Sequence, residues 1–308
     1  MAEYERSATV ARQPERLLGS APCGADLCVV LHVPKTAGQS LLQTFDRSYE
    51  GRGLLRLYPG RIVVPTRGKR TISDAWDTAR VDRYVIEHGS GETRCLFGHL
   101  AYLGVHAVLG AETSASYVTF LREPVQRFVS SYHYLKTRSK SSVGEAIARE
   151  GWSLDTFSAI PHTRNLQLRH LILGSPVADP AEPEMTREHL EEGKRRLRQF
   201  WFVGLTETFD EDAHYLYGKL GFQRFGAEWV NATPGKEMVS PALWQAIAER
   251  NALDIELYEY ARDLRREFVD ANALDIDHHR RKALMARGGP DADRSSDGQG
   301  GAAINSSG

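Results

Sequence analysis

Three groups of residues in this 308-residue chain have types and spacings suited to holding an anion or moving a proton. The first is Leu31-His32-Val33-Pro34-Lys35-Thr36-Ala37-Gly38-Gln39-Ser40, where an apolar run stops at a Lys-Thr-x-Gly turn and a helical pattern begins. Backbone N–H groups at a helix N-terminus, reinforced by the macrodipole, attract an anion placed before them. Lys35 adds a full charge, so Lys35, Thr36, Ala37, Gly38, Gln39 and Ser40 form a candidate phosphate loop. When Lys35-Thr36 is aligned with the Lys-Ser/Thr of a Walker A motif, Val29 and Pro34 stand where that motif has glycines. A triphosphate fits such a turn badly; a nucleotide with one 5′-phosphate carrying one further charged group fits it better.

The second group lies in Ser116 to Tyr132. A β-rich apolar run turns at Arg122-Glu123-Pro124 and continues with Val125, Phe128, Val129 and Tyr132 at helical spacing. Pro124 suits a first helical turn. Arg122 at the strand end and Ser130 about two turns later are placed to share one phosphate, and the planar guanidinium fork is well matched to that anion. The third group is Arg94-Cys95-Leu96-Phe97-Gly98-His99-Leu100, a short strand pattern that delivers His99 to the strand end, the edge of an open α/β sheet where ligands gather.

These segments resemble sulfotransferases that use 3′-phosphoadenosine-5′-phosphosulfate (PAPS), of the second large group, which includes the Golgi carbohydrate enzymes and bacterial relatives. The resemblance covers roughly residues 27 to 270. It implies a P-loop-like three-layer α/β fold with a central parallel sheet flanked by helices. It also implies PAPS as donor, the 5′-phosphosulfate on loop 35–40, the 3′-phosphate on Arg122 and Ser130, and a hydroxyl acceptor, a sugar or glycoconjugate by first expectation. His99 is then the general base, an imidazole near its ordinary pKa, and Lys35 stabilises the leaving group; no metal is needed. Phe97 and Ala101 stand where uronic-acid 2-O-sulfotransferases of the group have a further His, so their acceptor is not implied. Asn165 and Gln167 resemble the Asn-x-Gln segment near the acceptor, and the segment reads equally as a plain amphipathic helix. Thr233 and Lys236 resemble the pair that closes over the nucleotide, and they read equally as an ordinary Pro-Gly turn with a solvated Lys.

Positioning these groups requires alternating strands and helices. The pattern predicts strands at 27–33, 61–64, 94–97, 117–121 and 201–204. Helices are predicted near 38–48, 74–88, 124–137, 162–173, 184–199, 208–220, 241–250 and 252–270, an alternation that specifies a parallel sheet. Residues 1–24 and 286–308 read as disordered, leaving one domain over 25–285. The charged helix 184–199 reads as solvated, with an anionic-acceptor site as the minority reading. Asp277-His278-His279-Arg280-Arg281 reads as a basic helix start, since adjacent histidines face different sides and do not share a metal.

With 41% apolar residues and a net charge of −1, nothing global marks a nucleic-acid or polyanion binder. Residues 1–24 hold no apolar block suited to a signal or anchor, which predicts a cytoplasmic protein with no membrane span. Cys23, Cys28 and Cys95 have no metal spacing and are expected to be reduced. Two other classes stay open. A nucleotide or small-molecule kinase would use a similar loop but lacks here a full Walker A motif and a metal-binding Asp at a strand end. A non-catalytic PAPS-binding protein would be expected to lose Lys35 or His99, and both are present.

Overall fold

The computed structural model describes residues 27–49, 53–58, 78–138, 142–174, 184–222 and 239–287. Among these, five strands, β1 (Leu27–Leu31), β2 (Leu54–Arg56), β3 (Cys95–Gly98), β4 (Ala115–Leu121) and β5 (Phe202–Leu205), form one sheet in the order β2-β3-β1-β4-β5. Every pairing is parallel. β1 is buried along its whole length, as expected of a strand covered on both faces.

Successive side chains leave a strand on opposite faces, and two cores result. Val29, Leu31, Leu96, Tyr117 and Val203 pack with Val81, Val85, Leu168, Leu190, Leu197 and Leu257. On the other face Cys28, Val30, Cys95, Phe97, Phe120 and Phe202 meet Leu41, Phe45, Phe209, Leu216 and Phe268. Helices Thr78–His88, Leu166–Leu173 and Arg187–Leu197 cover the first face and Gly38–Tyr49 and Phe209–Lys219 the second, while Ala252–Ala271 contributes to the first core along most of its length and to the second through Phe268. This is the expected three-layer α/β arrangement. A third cluster joins Pro124–Arg138 to Ser142–Glu150, Leu154–Ala159 and Pro241–Arg250 through Val125, Phe128, Phe157 and Ile247.

The expected strand at 61–64 lies outside the described residues, as do residues 1–24, residues 74–77 of one expected helix and 288–308. β2 was not anticipated, because three half-buried residues give too short a pattern to read. The helices at 142–150 and 154–159 were also not expected, and the last helix, Ala273–Arg287, runs past the boundary placed at 285. Asp277 to Arg281 sits inside that helix rather than at its start. Cys28 and Cys95 are free, buried and directly opposite each other in the β1–β3 register. In Arg187–Leu197, Lys194 pairs with Glu191, and Arg195 and Arg196 pair with Glu192. Arg196 also donates to the carbonyls of Leu171 and Ile172, so this helix neutralises its own charges and ties down a neighbour.

One glycine is required by close approach. A Cβ at position 98 would overlap the carbonyl oxygen of Leu57, which also accepts from the Leu100 N–H at 3.0 Å and so cannot withdraw freely. Gly98→Ala is expected to destabilise the protein by about 1–3 kcal/mol, the range for overpacking, as measured by urea denaturation. Unchanged stability would show that β2 yields at no cost.

Candidate active site

The parallel order places the C-terminal ends of β3, β1 and β4 side by side, and the three candidate groups leave from those ends. After β1, Lys35 (φ 74°) and Ala37 (φ 63°) adopt left-handed backbone conformations. Each costs on the order of 1–2 kcal/mol for a residue with a Cβ. The turn thus reaches a glycine-type conformation without the Walker A glycines, and successive N–H groups in such a turn form an anion-binding nest. Thr36 Oγ1 donates to the carbonyl of Val33 at 2.8 Å, and the N–H groups of Ser40 and Leu41 reach the Ala37 carbonyl, closing the turn onto the helix Gly38–Tyr49. Thr36, Gly38 and Ser40 are buried, and Gln39 is exposed.

Arg122 joins this loop to the end of β4. Its Nη1 donates to the Lys35 carbonyl at 3.3 Å. Its own backbone is clamped by Gln167, whose Oε1 accepts the Arg122 N–H and whose Nε2 donates to the Arg122 carbonyl, both at 2.9 Å. Lys35 Nζ lies 4.2 Å from the centre of the Tyr134 ring, a cation–π contact that brings the loop against the helix Pro124–Arg138. Ser130 is buried one turn before Tyr134 on that helix.

Buried nitrogens without partners gather here. Arg122 Nε, Arg127 Nε and Nη2, and both ring nitrogens of His170 are buried with no hydrogen-bond partner among the described residues. Asp254, a buried carboxylate, is committed to the N–H groups of Gln167 and Leu168 at 3.1 and 2.8 Å while it faces Arg127 electrostatically. Buried donors without acceptors are costly unless something completes them. A nucleotide with separate phosphate groups fits that donor set.

His99 stands at the end of β3 with Nδ1 2.7 Å from the His32 carbonyl. A carbonyl only accepts, so Nδ1 carries the proton and Nε2 presents its lone pair. The ring is held between His32 (centroids 4.3 Å apart, planes at 31°) and Tyr58 (4.8 Å, 78°). Burial pushes the His99 pKa down to about 4; the bond to His32 opposes this and Lys35 adds to it. The expected ordinary imidazole pKa is therefore corrected: His99 is a neutral base throughout the physiological range.

The structure gives Asn165 and Gln167 partners within the protein. Asn165 adopts φ 50°, donates its N–H to Asn251 Oδ1 at 2.9 Å, and accepts the Asp254 N–H at 3.1 Å. Thr233 and Lys236 lie outside the described residues. Sequence reasoning missed His32, Tyr58, Arg127, Tyr134 and His170. Only Arg127 and Tyr134 left a signal, sharing with Ser130 the i, i+3, i+7 spacing of one helix face. Among the described residues no group of three or more His, Cys, Asp or Glu side chains forms a metal site, and no helix is long and apolar enough to cross a membrane.

The Sulfotransfer_2 model, described as Sulfotransferase family, matches residues 23–261. Heparan-sulfate 6-O-sulfotransferase 2 of Danio rerio is 30% identical over 199 residues, 56% of this chain and 42% of that protein. Heparan-sulfate 6-O-sulfotransferase 1-B of Danio rerio is 26% identical over 86% of this chain and 71% of its own length. Heparan-sulfate 6-O-sulfotransferase 1 of Cricetulus griseus is 30% identical over 82% of this chain and 70% of its own. The chain thus spans less than half of the first relative and about seven tenths of the other two. Among solved structures, a sulfotransferase from Alicyclobacillus acidocaldarius aligns with 76% of this chain and 94% of its own at 16% identity, with a TM-score of 0.37, too distant for residue correspondences.

Burial gives the site an acid-sensitive stability. His32, His99 and His170 all have pKa values held below the ordinary 6.5 by burial. Below pH 6.5 the unfolded chain therefore binds more protons than the folded one. Their contribution is complete above that pH and is lost as pH falls toward the folded values, by about 1.4 kcal/mol per pH unit for each histidine still neutral. Asp212 and Asp254, whose pKa values are raised by burial, act in the opposite direction. The unfolding free energy from urea titration is expected to be lower by a few kcal/mol at pH 5.5 than at pH 7.5. Equal values would show that the three imidazoles are not held neutral.

Proposed function

The chain belongs to the sulfotransferase family, and on that premise we propose that it transfers a sulfuryl group from PAPS to a sugar hydroxyl, with His99 as general base. The observation that carries this reading is the His99 Nδ1–H bond to the His32 carbonyl, since it leaves Nε2 as a proton acceptor at the edge shared with the anion loop. The sugar acceptor is supported by the relatives, whose names are those of heparan-sulfate 6-O-sulfotransferases.

PAPS supplies the sulfuryl group, with adenosine 3′,5′-bisphosphate as the leaving product. The N–H groups of residues 35–39 and the Lys35 ammonium hold the 5′-phosphosulfate, and Arg122 and Ser130 hold the 3′-phosphate. His99 Nε2 takes the proton from the acceptor hydroxyl as its oxygen bonds to sulfur. With its pKa near 4, His99 is a weak base. Proton transfer is therefore favourable only late, when the attacking oxygen has already lost negative charge to sulfur and its proton has become acidic. The imidazolium so formed keeps its bond to the His32 carbonyl. Lys35 meets the charge that develops on the bridging oxygen, the preorganised electrostatic stabilisation common to group transfer.

The kinase reading is disfavoured by Thr36. In a Walker A loop that hydroxyl binds magnesium, whereas here it donates to the Val33 carbonyl inside the turn. Calorimetric titration is expected to show binding of adenosine 3′,5′-bisphosphate and none of ATP with magnesium; the reverse preference would replace this reading with the kinase. His99→Ala is expected to lose about 10²–10⁴ in rate while keeping its affinity for adenosine 3′,5′-bisphosphate, and Arg122→Ala is expected to weaken that affinity. A fully active His99→Ala enzyme would remove the base assignment.

A further inference from the structure

His32 is engaged on three sides, and its fourth side meets the anion loop. Its carbonyl accepts the His99 Nδ1–H, its ring lies against the His99 ring, and its Nδ1 is 3.0 Å from the Tyr58 hydroxyl. The ring face at Nε2 and Cε1 occupies the place of a Gly38 side chain, where a Cβ would overlap both atoms of His32. Gly38 opens the helix Gly38–Tyr49. Cα–Cβ bonds tilt toward a helix N-terminus, so Nε2 lies toward the N-terminal end of that helix, where a helix meets an anion. Nε2 has no hydrogen-bond partner among the described residues.

We infer that His32 is a further donor-binding residue: the Tyr58 O–H donates to Nδ1, which fixes the proton on Nε2, and Nε2–H donates to an oxygen of the 5′-phosphate held by the loop that leads into this helix. This rests on the PAPS reading of the loop. Tyr58 keeps its phenolic proton because burial raises its pKa. That proton has no acceptor other than His32 among the described residues. His32 itself is held neutral by burial and by neighbouring His99, His170 and Lys35, so one proton is shared between two nitrogens and Tyr58 decides which bears it. Neutrality matters at this position. A cation stacked 4.3 Å from His99 would further weaken a base that Lys35 already depresses, whereas a neutral N–H adds a hydrogen bond to the phosphate and leaves the base unchanged.

The test uses the full chain with ¹⁵N-labelled histidine. In the ligand-free protein, long-range proton–nitrogen spectra are expected to place the His32 proton on Nε2, and Tyr58→Phe is expected to shift the proton partly to Nδ1. His32→Phe, which keeps a ring and removes both nitrogens, is expected to bind adenosine 3′,5′-bisphosphate about 3- to 10-fold more weakly, the worth of one hydrogen bond. His32→Gln, which restores an N–H near the Nε2 position, is expected to regain part of that loss. A His32 proton found on Nδ1, or wild-type affinity in both His32→Phe and Tyr58→Phe, would overturn the inference. If His32→Phe fails to fold, Tyr58→Phe carries the comparison alone. Failure of the wild-type protein to bind the bisphosphate would instead overturn the PAPS reading, and the ligand-free spectra would still report whether Tyr58 sets the tautomer.

Discussion

Everything at the site depends on the parallel alignment of β3, β1 and β4. Adjacent parallel strands lie roughly 4.8 Å apart and end on the same edge, so the residues that follow them must meet. The His32 N–H bonds the Gly98 carbonyl at 3.1 Å, which continues the β1–β3 ladder one residue beyond the strands. That extra rung puts the His32 carbonyl at the Nδ1 edge of the His99 ring and ties the base to the strand that leads into the anion loop. On the other side of β1, the Arg122 bond to the Lys35 carbonyl does the same for β4. The three groups are therefore set by main-chain geometry as much as by their own side chains.

That geometry is held at a cost to stability. The left-handed residues Lys35 and Ala37 and the buried guanidinium nitrogens without acceptors raise the energy of the folded state, and the three neutral imidazoles add to that only in acid. The scaffold compensates through cores on both faces of the sheet and through buried carboxylates that serve backbone groups. Asp254 caps Leu166–Leu173, whose Gln167 then clamps Arg122. Asp212 accepts from the Leu205 N–H and from Arg265, securing β5 to the helices beyond it. These contacts lie one layer behind the reacting groups, and their task is to keep strained and charged residues where an anion will find them.

The loop, Arg122 and His99 were legible because each is a local pattern, a strand ending in a turn with a charged or titratable residue at the boundary. What was not legible comes from pairs distant in the chain. His32 and His99 are 67 residues apart and Gln167 and Arg122 are 45 apart, so no spacing rule links them. Asn165 and Gln167 were read through their resemblance to an Asn-x-Gln segment near the acceptor, and their bonds to Asn251, Asp254 and the Arg122 backbone came only with the structure. The ordinary pKa expected for His99 failed for the same reason: burial is a property of the assembled sheet edge. β2, which supplies Tyr58 at its end, is three residues long and carries too few positions to show a period.

The fit between His32 and Gly38 has a consequence for how such a chain can change over time. Glycine at 38 is not demanded by backbone conformation, since its φ is not positive; it is demanded by an imidazole that occupies the place of its side chain. The two positions are therefore one inherited unit. A lineage that replaced the histidine with something smaller would free position 38 to accept alanine or serine, whereas one that replaced the glycine first would force the His32 ring out of its place between His99 and the helix. Substitution is costlier in one order than in the other, and the loop's history is expected to carry that direction.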